Sequence, residues 1–112
     1  MILTGKTKED FERWCIKKDV SEDEYYDIWN DWSYLSTSCK NAFYVDFFDS
    51  VEIYIEISFY DDCYWTYNIY SNKPVLEKEI ANVCNNRQEA LTEAIKKANE
   101  IYNEKFAYRN KQ

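Results

Sequence analysis

The sequence predicts one α+β domain, a three- to four-stranded antiparallel β-meander with helices packed on one face, in the order α-α-β-β-β-(β)-α. Residues 51–59 alternate apolar and polar side chains without a break, which is typical of a half-buried strand. Segments on both sides of this run instead repeat apolar residues every three or four positions, the spacing of one helical face. A chain of 112 residues is long enough to form a single hydrophobic core. It contains one Gly and one Pro, so we expect little of it to be linker.

Two helices are predicted before the sheet. Thr7 followed by Lys8, Glu9 and Asp10 resembles an N-cap with acids in the first turn, and it opens a helix over about residues 8–18. A second helix begins at Ser21 and carries an apolar face made by Tyr25, Ile28, Trp29 and Trp32. These tryptophans have the spacing of buried residues, so we interpret them as packing on the sheet rather than as a stacking platform for a ligand. Residues 33–40 are polar and are predicted to be a loop.

Three strands are predicted over residues 42–48, 51–59 and 63–70, separated by the polar pairs Asp49-Ser50 and Asp61-Asp62. The predicted inward face combines the odd-numbered residues of the middle strand with Phe43, Val45, Phe47, Trp65, Tyr67 and Ile69. Pro74 ends the meander because proline cannot donate to a central ladder. Residues 75–85 are predicted either as a fourth strand around 80–84 or as an irregular crossing.

The last element is a helix over about residues 87–106. Asn86 is its N-cap, and Glu89 stands three residues on, as in a capping box. Its apolar stripe, predicted to cover the sheet, consists of Leu91, Ala94, Ile95, Ala98, Ile101 and Tyr102.

Helices on one face leave the other face of a sheet to solvent or to a partner. That outer face is predicted to bind a partner through aromatic and acidic side chains, namely Tyr44, Asp46, Phe48, Glu52, Tyr54, Glu56, Tyr64 and Tyr70. The charge distribution points the same way. Residues 19–72 carry twelve acids and only Lys40, a net charge of −11, whereas residues 1–18 and 73–112 each carry +2. An acidic surface interleaved with tyrosines favours a basic protein surface as the partner.

The composition disfavours an enzyme. The chain has no His, so the usual general base is missing, and its single Gly excludes a glycine-rich phosphate loop. Asp46, Asp49, Glu52 and the Asp61-Asp62 pair could hold a metal, but they lack the spacing of a calcium loop. We therefore expect no cofactor, no metal and no catalytic residues.

The four cysteines and the terminus bear on the compartment. Cys15, Cys39, Cys63 and Cys84 form no Cys-x-x-Cys pair, and we expect four free thiols that are mostly buried. No stretch approaches a membrane span, and the start of the chain is too short and too polar for a signal peptide. A cytoplasmic protein is expected.

Two stretches carry a resemblance: FYVDFFDSV at residues 43–51 and AIKKANEIYN at residues 94–103. With the short aromatic helices before them, they resemble small uncharacterised proteins encoded by bacteriophages and prophages. The resemblance covers about residues 8–104 and brings no known site residues. It implies a phage context, in which small acidic proteins often block host defence nucleases, as anti-CRISPR proteins do. The order α-β-β-β-α is also similar to that of double-stranded RNA-binding domains, but Lys96 and Lys97 lie in mid-helix here, and the acidic middle would repel phosphates.

Three functional hypotheses follow. The first is a non-enzymatic inhibitor that imitates nucleic acid and occupies the basic groove of a host defence or nucleic-acid-binding protein, without binding nucleic acid or membrane itself. The second is a structural or adaptor protein that forms homodimers or larger homo-oligomers through its aromatic sheet face. The third is a carboxylate metalloenzyme. Charge segregation favours the first.

Overall fold

The computed structural model describes residues 1–21, 31–60, 64–71 and 85–109. Their elements are α1 (Gly5–Ser21), a 3-10 turn (Trp32–Tyr34), α2 (Thr37–Ser50), β1 (Ile53–Tyr60), β2 (Tyr64–Ser71) and α3 (Arg87–Arg109). The order is therefore α-α-β-β-α. Within these residues, no helix has an apolar stretch long enough to cross a bilayer.

The prediction of a three- to four-stranded meander is wrong, because the described sheet has two strands and residues 42–48 lie in α2. Tyr44, Phe47, Phe48 and Val51 stand at i, i+3, i+4 and i+7, which is the spacing of a helical face. The segment therefore fits the period of a helix as well as that of a strand. Ser36, placed in a loop by the sequence, caps this helix, and its hydroxyl accepts from the backbone N–H of Cys39 at 3.1 Å. The predicted second helix falls mostly on residues outside the described ranges, as does the predicted fourth strand.

The two predicted strands that follow are confirmed. They form an antiparallel hairpin whose register runs from Ile53 opposite Ser71 to Tyr60 opposite Tyr64. Ile53, Tyr67 and Ile69 on its inner face are buried, and Ile55 and Ile57 are half-buried against the core. The prediction is wrong for Phe59, which is 57 % exposed and has its ring 4.8 Å from that of the half-buried Trp65.

Helix α3 is also confirmed. The backbone N–H of Glu89 donates to Asn86 Oδ1 at 2.8 Å, which is the predicted cap. The predicted apolar stripe faces the interior, with Leu91 half-buried and its other members buried. Helix α3 packs against both strands and against α1 and α2.

Helix α1 begins at Gly5, earlier than predicted, and Thr7 is not its N-cap. Thr7 is buried; its backbone N–H donates to Asn103 Oδ1 at 2.8 Å, and its hydroxyl donates to the Asn99 carbonyl at 3.2 Å. The backbone N–H of Thr4 donates to Asn99 Oδ1 at 3.0 Å. Two asparagines of α3 therefore satisfy backbone donors that a local cap would otherwise serve.

The core lies where the three helices meet the inner face of the hairpin. Phe11 is fully buried, and its ring lies 5.2 Å from the Tyr44 ring and 5.5 Å from the Phe47 ring. The Trp32 ring lies 5.3 Å from that of Phe11, so this predicted core tryptophan does pack inward. Such aromatic pairs bury a large area where α1 packs against α2.

Two of the four cysteines are described. Cys15 is buried and Cys39 is half-buried, and neither forms a disulfide. Cys63 and Cys84 lie outside the described residues, so the expectation of four free thiols is met for these two alone.

Candidate functional site

Tyr44 and Phe48 are not surface residues, so their predicted place on an open sheet face is wrong. Their exposed fractions are 3 % and 0 %, because α2 turns both side chains into the core. Burial raises the pKa of the Tyr44 hydroxyl to about 12, although a backbone hydrogen bond from Ile2 lowers it. An unionised ring in the core supports α2 and is not available to a partner.

The remaining acids of α2 form what we call the acidic ridge, defined by Asp46, Asp49 and Glu52. All three are exposed, and Asp46 and Asp49 are one helical turn apart. Glu52 has a φ of 64°, and its backbone N–H donates to the Asp49 carbonyl at 3.1 Å, which closes the turn into β1. Partial burial and the charge of Asp46 together raise the pKa of the Asp49 carboxyl.

No Lys or Arg of the described residues lies within 4.0 Å of a ridge carboxylate. The ion pairs found among the described residues join side chains of α1 to each other or side chains of α3 to each other. Lys40 is the only cation between residues 31 and 71. Its ammonium lies 5.8 Å from the centre of the Trp32 ring, at the opposite end of α2. Lys40 is six positions from Asp46 and nine from Asp49, a separation of about 9 and 13 Å along the helix axis. That exceeds a Debye length of about 8 Å at physiological salt, so Lys40 does not neutralise the ridge.

The hairpin outer face continues from the ridge. We define it by Tyr54, Glu56, Tyr64, Thr66, Asn68 and Tyr70, which alternate with the inward residues of the two strands. The register places Tyr54 opposite Tyr70 and Glu56 opposite Asn68. Glu56 Oε1 accepts from Asn68 Nδ2 at 3.2 Å, which holds the carboxylate in place across the strands.

This face is only partly open. Tyr54 is 37 % exposed and Glu56 is exposed, whereas Tyr64 and Tyr70 are half-buried and Thr66 is 3 % exposed. Of the eight predicted site residues, the structure therefore brings Asp46, Glu52, Tyr54 and Glu56 to open surface. The alternation of the strands is the reason that the last two were found from the sequence.

The chemistry available at this surface is that of charge and contact area. Among the residues that the structure describes, no three His, Cys, Asp or Glu side chains cluster as metal ligands. Tyr54 and Glu56 form the open end of the hairpin outer face. Together with the ridge, they provide four carboxylates and one exposed aromatic ring. Such a surface can attract a cationic surface and supply an aromatic anchor.

The structure also contains a concave site that was not predicted from the sequence. It is a cleft of about 290 Å³ that lies where α1 meets α3 and the C-terminal end of α2. We call it the α1 cleft; it is lined by Asp10, Arg13, Trp14, Lys17, Phe47, Ser50, Val51 and Tyr102. The Tyr102 hydroxyl donates to Asp10 Oδ2, a contact between residues 92 positions apart. No sequence signal links such distant positions.

Comparison of the chain with known proteins found no match to a family model, a curated protein or a solved structure. The resemblance to bacteriophage proteins therefore stays a prediction.

Proposed function

We propose that this protein is a non-enzymatic binding protein that recognises a basic protein surface through the acidic ridge and the open end of the hairpin outer face. The observation that carries the proposal is the uncompensated charge. Every charged side chain described between residues 41 and 71 is acidic: Asp46, Asp49, Glu52 and Glu56. A ridge of one sign steers association with a surface of the opposite sign.

The raised pKa of Asp49 supports the same conclusion. Burial is the larger cause of this rise, and the charge of Asp46 adds to it, which indicates a negative potential between the two carboxylates. A cationic partner would relieve this repulsion on binding. The free protein would lose stability at neutral pH by keeping these charges together, and the partner would recover it.

The proposed partner uses its basic surface to bind nucleic acid. The carboxylates of the ridge and of Glu56 would take the place of phosphates in the partner's basic groove. The ring of Tyr54 would take the place of a base and stack on the partner. The protein would then compete with nucleic acid for that groove. It would not bind nucleic acid itself, because the ridge repels phosphates.

The alternative, self-association through the aromatic sheet face, has less support. Tyr64 and Tyr70 are half-buried, so less aromatic area is open than the alternation suggests. Any two-fold pairing that included the acidic ridge would also place like charges across the interface, which opposes binding.

The test is capture of partners from a bacterial lysate, followed by binding measurements on the recovered partner. The ridge variant Asp49→Lys with Glu52→Lys is compared with a matched control, Glu9→Lys with Glu104→Lys, which reverses two exposed carboxylates elsewhere. We expect the ridge variant to associate at least tenfold more slowly at low salt and the control to bind like wild type. The wild-type protein should also displace nucleic acid from the partner. Equal binding by the ridge variant, or tight binding of naked nucleic acid by the protein itself, would refute the proposal.

A further inference from the structure

We infer that the α1 cleft binds a small planar aromatic carboxylate. This inference goes beyond the proposed function, because the cleft shares no residue with the acidic ridge or the hairpin outer face. Three features of the cleft support the inference. They are an aromatic floor, the carboxylate of Asp10 with its partners inside the protein, and the cations Arg13 and Lys17 at the rim.

The floor is built from three rings. The Phe47 ring lies 6.0 Å from the Trp14 ring, edge to face, and 5.7 Å from the Tyr102 ring. Phe47 and Tyr102 are buried and belong to the core, which fixes the position of the floor. A flat apolar ring of a ligand would stack on Trp14, which is half-buried, with Phe47 and Tyr102, only 2 % and 3 % exposed, beneath it. The volume of about 290 Å³ lies at the small end of ligand sites and suits one or two fused rings.

Asp10 is the one acid among the described residues that line the cleft, and its oxygens already accept hydrogen bonds. Oδ2 accepts from the Tyr102 hydroxyl, and Oδ1 lies 3.1 Å from the ammonium of Lys6. Burial, followed by the hydrogen bond to Asp10, raises the pKa of Tyr102, so the hydroxyl remains a donor at all physiological pH values. The carboxylate of Asp10 is thus engaged from inside the protein and does not select a cationic ligand.

The two rim cations remain available. Arg13 is 76 % exposed, and its nearest contact to Asp10 is a loose one at 3.9 Å. Lys17 lies one turn further along the exposed side of α1, and no carboxylate of the described residues lies within 4.0 Å of its ammonium. A guanidinium fork binds a carboxylate through two parallel hydrogen bonds, and a lysine one turn away adds a second charge. The rim therefore selects an anion, and the floor selects a ring.

The experiment uses 1-naphthoate as the probe and 1-naphthamide as its neutral counterpart. Each is titrated into the full chain and followed by amide and indole N–H chemical shifts, with the Trp14 indole signal identified from a Trp14→Phe variant. We expect shifts at the cleft and binding of the carboxylate on the order of tenfold tighter than that of the amide at low salt. The preference should shrink as salt screens the rim.

The variant Arg13→Gln with Lys17→Gln should lose this preference. Lys8→Gln is the matched control, because Lys8 is an exposed cation of the same helix that does not line the cleft. Thermal unfolding checks that each variant folds, and Lys17→Gln alone replaces the double variant if that one does not. No shift at the cleft up to about 5 mM naphthoate, equal affinity for the amide, or an equal loss in Lys8→Gln would each overturn the inference.

Discussion

Truncating Phe48 to Ala tests the arrangement on which the whole fold depends, namely whether residues 42–48 form a helix or a strand. In α2 the Phe48 side chain is fully buried, with its ring 5.4 Å from that of Phe47. Removing a buried Phe side chain costs about 3–5 kcal/mol through lost burial and the cavity left behind. In a strand with the predicted register the same side chain would point to solvent, and its loss would cost less than about 0.5 kcal/mol.

Val45 is the matched control because its position reverses in the two arrangements. As an inward strand residue it would be buried, whereas in α2 it is half-buried, so Val45→Ala should cost only about 1 kcal/mol. Urea unfolding measures both. With a slope of about 1.5 kcal/mol per molar, Phe48→Ala should lower the midpoint by roughly 2–3 M. If that variant does not fold, Phe48→Leu keeps the measurement in range, with an expected cost of about 1–1.5 kcal/mol. A Val45→Ala cost equal to or above that of Phe48→Ala, or a Phe48→Leu cost below about 0.5 kcal/mol, would refute the helix.

Replacing Asn103 by Ala should cost about 1–3 kcal/mol in urea unfolding, because the backbone N–H of Thr7 in the first turn of α1 loses its acceptor; a cost below about 0.5 kcal/mol would contradict this role. Gly5→Ala should cost about 1–2 kcal/mol, since its φ is +55° and a Cβ would lie 3.1 Å from Asn103 Oδ1; an unchanged thermal midpoint would contradict the strained start of α1. Asn86→Ala should cost about 0.5–2 kcal/mol by removing the cap of α3, while Asn85→Ala, whose side chain caps nothing, should change stability by less than about 0.5 kcal/mol; equal effects would count against the cap. The raised pKa of Tyr44 predicts that its contribution to folding is intact below about pH 10 and is lost as the pH rises through about 12. Absorbance at 295 nm should show this tyrosinate forming with unfolding, and a Tyr44→Phe variant that titrates identically would exclude it.

The elements predicted correctly from the sequence are those whose pattern of apolar and capping residues lies within the element itself. The strand of residues 53–60 alternates apolar and polar side chains, and no helical spacing competes with that pattern. Helix α3 carries both a cap at Asn86 and an apolar stripe over several turns, so propensity, capping and periodicity agree. The charge segregation also follows from the sequence alone, although the structure places Asp46 and Asp49 on a helix and not on a sheet face.

Only the tertiary structure decided the state of residues 42–48 and the existence of the α1 cleft. Nearly every residue of that segment is apolar, so it satisfies the strand period and the helix period together, and packing against Phe11 and Tyr102 selects the helix. That choice moved Tyr44 and Phe48 from a predicted binding face into the core. The start of α1 was likewise set by Asn99 and Asn103, far along the chain, since a long-range hydrogen bond leaves no periodic trace in the sequence. The cleft arises from the same cause, because its floor and its rim come from three helices that meet only after folding.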